Sequence, residues 1–241
     1  MKIRFLLLQA RLPDDPMKSH EHECFVRGSG LPRENVVVHD LCDGPPSMTD
    51  VRRHDALTVG GSGDYYVTRG DLRGFDALLD LLREVVTIGH PTFASCFGYQ
   101  LLVRALGGEI VHDPDRTEVG SYELFLTDEG RADPLFRTLP DRFWAQLGHK
   151  ERARRHPNGV PNLARSDLSP FQALRVPGVP VWASQFHPEL DRETNLDRFR
   201  YYQSGYARYM TEEERDAAAL SFRESPEASD LLRTFIELVF D

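Results

Sequence analysis

The stretch Thr92–Phe–Ala–Ser–Cys–Phe–Gly–Tyr–Gln–Leu–Leu102 joins a short apolar strand directly to an amphipathic helix, with a cysteine at the junction. This pattern predicts a tight turn at the carboxyl edge of a sheet, with Cys96 pointing out of that edge. The N-terminus of the following helix favours negative charge, and therefore a thiolate. Gly98 lacks a Cβ, so backbone and substrate can approach closely. Cys96 is thus a candidate nucleophile; the alternative is a small buried hydrophobic residue, the usual role of a free cysteine.

A second motif supplies the groups that a cysteine nucleophile needs. The segment 181–186 has the composition of a buried strand, and His187–Pro–Glu189 follows at its end. A thiol nucleophile requires a base, and the base requires a third group that fixes its tautomer. Glu189 can hold the imidazole across a proline that stiffens the turn. Alone, His-Pro-Glu is typical of a polar turn; together with Cys96 it predicts a catalytic set of Cys96, His187 and Glu189.

A glycine-rich loop follows the strand Ala56–Leu–Thr–Val59 and contains Gly60, Gly61 and Gly63. A phosphate-binding loop is the obvious alternative, but no Gly-Lys-Ser/Thr or G-x-G-x-x-G pattern accompanies it. We therefore expect the loop to form an oxyanion hole, in which the N–H groups of Gly61 and Phe97 are the two donors.

These motifs resemble those of a known family, the class I (triad-type) glutamine amidotransferases. The chain is most similar to stand-alone members related to the glutaminase domain of GMP synthase. Cys-Phe-Gly-Tyr-Gln (96–100) matches the family's C-x-G-x-Q, and Phe-His-Pro-Glu (186–189) matches its F-H-P-E. Gly60–Gly61, Glu118–Val–Gly120 and Gly148–His149 stand where relatives carry G-G, E-[IL]-G and S-H. The resemblance runs from about residue 1 to about residue 190.

The resemblance implies a flavodoxin-like α/β fold with three layers, in which helices flank a mostly parallel central sheet. It also implies hydrolysis of the glutamine side-chain amide through a γ-glutamyl thioester, with release of glutamate and ammonia. Glutamine would be oriented by Gln100, Ser121, Gly148 and His149. No cofactor and no metal are implied, and a separate synthetase subunit would supply the acceptor of ammonia.

The chain departs from the family pattern at Ala94, Ser62 and Glu151, where glycine, proline and aspartate are common. These changes are small or conservative, so they bear on the acceptor and the rate more than on the type of reaction. Two other functions stay open. The protein could be a γ-glutamyl peptidase or hydrolase, or a catalytically silent regulatory subunit, although a silent subunit has no need of the complete Cys-His-Glu set.

Composition narrows the class of protein. The 241 residues, 40% of them hydrophobic, can form a substantial core. A net charge of -9 and a pI near 5.5 argue against a nucleic-acid partner. Three cysteines form no even disulfide set and suit a reducing cytoplasm. The apolar run after Met1 is too short for a signal peptide, and no segment approaches the roughly 20 apolar residues that span a membrane.

The order of elements predicts the topology. Strands alternate with helices up to about residue 108, which is typical of a parallel sheet with active groups at its carboxyl edge. Asp71 is the expected cap of the helix before Cys96. From Glu109 onward, short strands predict a partly antiparallel extension that returns His187 to Cys96. The expected strands include 2–9, 35–39, 56–59, 121–126, 142–147, 162–165, 171–176 and 181–186.

Two further segments carry alternatives. His20 and Cys24 share one helix face, but His22 points elsewhere, so a solvated acidic face is favoured over a metal site. After residue 190 the composition is helical, and residues 191–241 are expected to form an extension. Its aromatic residues recur at helical spacing and would either pack on the domain or dock another protein chain. They are Phe199, Tyr202, Tyr206 and Tyr209.

Overall fold

A computed structural model describes residues 3–207 and 210–241 of the chain. Lys2 and Tyr209, which figure in the expectations above, lie outside the described residues. The strands are β1 (Phe5–Ala10), β2 (Val36–Asp40), β3 (Ala56–Ser62), β4 (Thr92–Ser95), β5 (Glu109–His112), β6 (Glu118–Leu126), β7 (Arg142–His149), β8 (Glu151–Arg155), β9 (Asn162–Arg165), β10 (Ala173–Arg175) and β11 (Val181–Ser184). The α-helices are α1 (Met17–Ser29), α2 (Met48–Val51), α3 (Phe75–Ile88), α4 (Phe97–Ala105), α5 (Asp128–Ala132), α6 (Arg192–Tyr206), α7 (Glu212–Ser221), α8 (Pro226–Ser229) and α9 (Leu231–Phe240). Single 3-10 turns cover Arg33–Asn35, Leu41–Asp43, Pro114–Arg116 and Phe136–Thr138.

The main sheet has nine strands in the order β2-β1-β3-β4-β11-β10-β9-β6-β7. The pairs from β2 to β11 are parallel, and those from β11 to β7 are antiparallel. A separate antiparallel pair is formed by β5 and β8. The expected parallel half with an antiparallel extension is therefore confirmed. Because β4 and β11 are parallel neighbours, the segments that follow them leave the sheet at the same edge.

Alternation along β1 explains the three layers. Leu6 and Leu8 point into one core with α3 and α4, whereas Phe5 and Leu7 point into a second core with α1 and α9. A parallel strand covered on both faces is mostly apolar, and all six residues of β1 are buried, with Gln9 the one polar side chain among them. Helices thus flank both faces of the central sheet, as the sequence predicts.

The last helices pack against this framework. Phe235 of α9 makes edge contacts with the rings of Phe5, Phe93 and Trp182. On the other side, α6 and α7 enclose a small core with Val119 of β6. The division into residues 1–190 and 191–241 stays a prediction. Among the described residues, no helix is both long and apolar enough to cross a membrane.

The start of α3 differs from the prediction. Asp71 does not cap the helix; its carboxylate accepts a hydrogen bond from the N–H of Tyr66 instead. The helix begins at Phe75, after Gly74, which adopts the left-handed conformation with φ of 70°. That conformation favours glycine and reverses the chain just before the helix. The prediction that Asp71 caps α3 is therefore wrong.

Candidate functional site

Cys96 occupies a strained turn between β4 and α4. Its φ of 50° makes it the one non-glycine residue with positive φ in the described part of the chain. Such strain persists only where the surroundings enforce it, and it is concentrated at functional sites. Here the N–H of Cys96 donates to the carbonyl of Ser184 at 2.8 Å. Gly98 lets the helix approach β3 closely, because a Cβ there would lie 2.5 Å from the carbonyl oxygen of Val59.

His187 and Glu189 follow β11 and form a buried pair. Nδ1–H of His187 donates to Oε1 of Glu189 at 2.6 Å. Burial alone would lower the pKa of His187, but Glu189 and the hydrogen-bonded Cys96 side chain outweigh it and raise the pKa to about 9. Burial would raise the pKa of Glu189, yet His187 and then Arg198 lower it. The geometry therefore favours a carboxylate that holds a cationic imidazole beside the sulfur.

The raised pKa of His187 makes a prediction about stability. A histidine whose pKa rises on folding stabilises the fold fully below its unfolded value and loses that contribution as pH rises through the folded value. The free energy of unfolding of the wild type should therefore exceed that of His187→Gln by the largest amount below pH 6.5. This difference should disappear as pH approaches about 9. Urea unfolding of both proteins across this range measures the difference. A difference that does not change with pH would contradict the ion pair.

Cys96 and His187 face one cavity of about 670 Å³. It opens at the carboxyl edge of the parallel strands, where open α/β sheets bind their ligands. Its wall includes the loops after β1 and β3, the start of α4 and helix α6. The polar and aromatic residues of α6 at the cavity are Asn195, Arg198, Phe199, Tyr201, Tyr202, Ser204 and Tyr206.

Three of the four expected glutamine-binding residues line this cavity: Gln100, Gly148 and His149. The amide nitrogen of Gln100 is already engaged, because it donates to the carbonyl of Glu151 at 2.8 Å. Both ring nitrogens of His149 also have partners, the Glu151 carbonyl and the Glu118 carboxylate, each at 3.0 Å. The imidazole of His149 therefore has no ring nitrogen left for a ligand.

Ser121, the fourth expected residue, makes its contacts elsewhere. Its hydroxyl donates to Oε1 of Gln146 and to the carbonyl of Arg223, both at 3.1 Å, and it accepts from the N–H of Arg223 at 2.8 Å. The described residues that line the cavity do not include it. Ser121 joins β6 to the segment before α8, so this geometry does not support a contact with glutamine.

The two expected oxyanion donors differ in their surroundings. Phe97 begins α4, where the first N–H groups have no acceptor within the helix, and it lines the cavity. Gly61 lies against the imidazole, since a Cβ there would be 3.1 Å from Cε1 of His187. However, the N–H of Gly61 donates to Oε1 of the buried Glu21 at 3.1 Å. This donor would have to leave Glu21 before it could serve an oxyanion.

Sequence reasoning missed several residues of the site. Gln185, just before the Phe-His-Pro-Glu motif, places its amide nitrogen 3.7 Å from the Cys96 sulfur. The available signal was a glutamine at the end of a segment, 181–186, that is predicted to be a buried strand. Arg198 lies 3.7 Å from Glu189 and lines the cavity. Its spacing from Tyr202 places both on one face of α6, but nothing local indicated that this face meets the cavity.

No group of three or more His, Cys, Asp or Glu side chains in the described part of the chain could hold a metal ion. The sulfur of Cys24 lies 3.8 Å from Nδ1 of His20, so this pair on α1 makes a hydrogen-bond contact.

Comparison with known proteins identifies the family to which the sequence is similar. Residues 54–199 match the model of the family described as glutamine amidotransferase class-I. One component of the glutamine-hydrolysing GMP synthase from Methanopyrus kandleri is 31% identical over 141 residues, which cover 58% of this chain and 70% of that protein. The corresponding component from Methanocaldococcus jannaschii is 33% identical over 100 residues, covering 42% of this chain and 51% of that protein. The chain thus spans about half the length of the latter relative.

Solved structures share the fold along nearly the entire chain. A glutamine amidotransferase from Thermotoga maritima superposes with a TM-score of 0.73 and 18% identity, covering 99% of this chain and 98% of that one. A glutamine amidotransferase from Methylobacillus flagellatus gives a TM-score of 0.70 and 18% identity, with 98% and 95% covered. At such low identity the likeness establishes the fold alone.

Proposed function

Because the chain belongs to the class-I glutamine amidotransferase family, we propose that it hydrolyses the side-chain amide of glutamine through a γ-glutamyl thioester on Cys96. One observation carries the proposal. Cys96 and His187 border one cavity, and Glu189 holds the imidazole at 2.6 Å. A sulfur nucleophile, a base and a carboxylate that orients the base are the components that amide hydrolysis by a thiol requires.

The chemistry divides among these groups. The Cys96 thiolate attacks the γ-carboxamide carbon, and the N–H of Phe97 supports the developing oxyanion, joined by that of Gly61 once it is free of Glu21. The imidazolium of His187 gives its proton to the departing nitrogen, so the tetrahedral intermediate collapses to the thioester and ammonia. His187 then takes a proton from water as the water attacks the thioester. Glutamate leaves and the thiolate is restored.

The curated relatives are named as GMP synthases or components of them, which supports a separate protein that binds the acceptor of ammonia. We therefore propose that this chain serves as the glutaminase of a two-component system in the cytoplasm. The three cysteines, all of them free thiols, suit a reducing compartment.

A second candidate, γ-glutamyl hydrolysis, is favoured by the size of the cavity. Its volume of about 670 Å³ lies within the range of about 300–1,000 Å³ that accommodates drug-sized ligands. Glutamine alone would leave part of it empty. Tyr202 and Tyr206 of α6 provide aromatic surface for a larger group on the γ-nitrogen.

The release of ammonia from glutamine, compared with the release of amine from γ-glutamyl dipeptides, tests the proposal. We expect kcat/KM to be highest for glutamine, and activity to increase when the acceptor-binding partner is present. Turnover of γ-glutamyl dipeptides without any ammonia from glutamine would instead establish the second candidate. No turnover of either class by folded protein with its partner present would favour a silent regulatory role.

A further inference from the structure

Gln185 is a fully buried residue at the end of β11, between the strand and the His-Pro-Glu turn. Its amide nitrogen lies 3.7 Å from the sulfur of Cys96, within hydrogen-bond range for sulfur. Its amide oxygen accepts from Nε2 of Gln100 at 3.2 Å. The same nitrogen of Gln100 also donates to the backbone carbonyl of Glu151 at 2.8 Å. The Glu151 carbonyl and the side-chain amides of Gln100 and Gln185 therefore form a hydrogen-bond network that ends at the sulfur.

The direction of each hydrogen bond in this network is fixed. A backbone carbonyl can only accept, so Gln100 must present its NH₂ group to Glu151. The second hydrogen of that NH₂ group then points to Gln185, whose amide oxygen must accept the hydrogen bond. The NH₂ group of Gln185 is consequently left facing Cys96. Turning either amide around would place oxygen against oxygen or nitrogen against nitrogen, so the network determines the orientation of both side chains.

We infer that Gln185 is a catalytic residue that donates an N–H to the Cys96 thiolate, and that Gln100 is a positioning residue that aims this donor. Hydrogen bonds to a charged group are stronger than those to a neutral one, so the donor stabilises thiolate more than thiol. It also assists the sulfur as leaving group when the thioester is resolved, because negative charge returns to the sulfur. Unlike His187, an amide does not titrate, so this donor is present at every stage of the reaction.

This role differs from the one expected of Gln100 in glutamine binding. The inference rests on the proposed function of Cys96 as the nucleophile, but it concerns the state of the free enzyme. It can therefore be tested without glutamine, acceptor or partner.

Alkylation of Cys96 by iodoacetamide reports the thiolate directly. The rate is followed by mass spectrometry of the peptide that contains Cys96, from about pH 5 to about pH 10, so Cys24 and Cys42 do not interfere. In Gln185→Met, which keeps the length of the side chain, we expect alkylation near neutral pH to slow by roughly tenfold or more. The midpoint of the profile should move upward by about one pH unit.

Two further variants sharpen the test. Gln185→Glu keeps the bond from Gln100 but turns an oxygen toward the sulfur, so where the new carboxyl is ionised we expect slower alkylation than in Gln185→Met. Gln100→Met removes the group that aims Gln185 and should shift the profile in the same direction by less. Asn35→Leu is the control, because it removes a buried amide in the turn just before β2, a residue that does not line the cavity. Its profile should match wild type.

Alkylation profiles of Gln185→Met and Gln185→Glu that coincide with that of the wild type would overturn the inference. Unfolding midpoints of each variant are measured alongside, so that a loss of structure is not mistaken for a loss of thiolate. Failure of the proposed function is a separate result: a wild type that hydrolyses no glutamine while its Cys96 alkylation still depends on Gln185 contradicts the glutaminase proposal and supports the donor.

Discussion

Replacing Cys96 by alanine is expected to lower kcat for glutamine hydrolysis by roughly 10⁴- to 10⁶-fold, the range seen when one member of a catalytic triad is removed. The variant keeps the cavity but loses the atom that forms the thioester. Because His187 and Glu189 remain, any residual rate reports how far they can activate water alone. The measurement is steady-state release of ammonia from saturating glutamine.

Cys24→Ala provides the matched control. Cys24 is also a buried cysteine, but it lies on α1 and is absent from the cavity wall. It should retain kcat once the activity is normalised to folded protein. An equal loss of normalised kcat in both variants would mean that the effect is not specific to the cysteine at the cavity. Activity of Cys96→Ala close to the wild type would exclude thioester chemistry.

The largest effect on stability is expected from Glu21, whose carboxylate is buried beneath the glycine loop. Nε and Nη2 of Arg11 donate to it at 3.1 and 2.9 Å, Gln9 at 3.0 Å, and the N–H of Gly61 at 3.1 Å. Arg11 is itself only 1% exposed. Burial would lower the pKa of Arg11, but Glu21 raises it above its usual range, so the guanidinium stays charged. Glu21→Met removes the carboxylate that accepts two hydrogen bonds from this guanidinium and leaves Arg11 only the longer ion pair with Asp15, at 3.9 Å, and a contact with the Tyr202 hydroxyl. The loss should cost about 3–5 kcal/mol of unfolding free energy.

Urea denaturation measures this cost, and two variants bracket it. Glu23→Ala, two positions along the same helix, removes an exposed carboxylate paired with Arg33 and should change stability by less than about 1 kcal/mol. The double variant Arg11→Met/Glu21→Met removes both charges and should recover much of the loss, because two apolar side chains need no partner. If Glu21→Met were as stable as Glu23→Ala, the ion pair between Arg11 and Glu21 would not be needed for folding.

Local patterns were sufficient to predict that Cys96, His187 and Glu189 meet at one edge of the sheet. The apolar run before Cys96 and the amphipathic run after it specify a strand and a helix, whatever surrounds them. The buried strand before His187 predicts a return to the same sheet edge, and β11 pairs with β4 as that requires. Glu189 is two residues from His187, so their contact needed only a turn.

Residues that depend on distant packing could not be predicted. The bond between Gly61 and Glu21 joins β3 to α1, and no local pattern encodes it. Ser121 was expected at the site from its place in the sequence, yet its hydroxyl forms hydrogen bonds with the backbone of Arg223, in the segment after α7. The aromatic face of α6 is visible at helical spacing, but periodicity identifies a buried face without identifying what covers it. The structure places that face against the cavity.

The central claim is that Cys96 acts as a nucleophile toward the γ-carbon of glutamine. The most direct measurement is covalent labelling with the glutamine analogue 6-diazo-5-oxo-norleucine, followed by peptide mass spectrometry. We expect a single adduct on Cys96, slowed strongly in His187→Gln and absent in Cys96→Ala. Labelling confined to Cys24 or Cys42, or no labelling of folded protein with its partner present, would contradict the account.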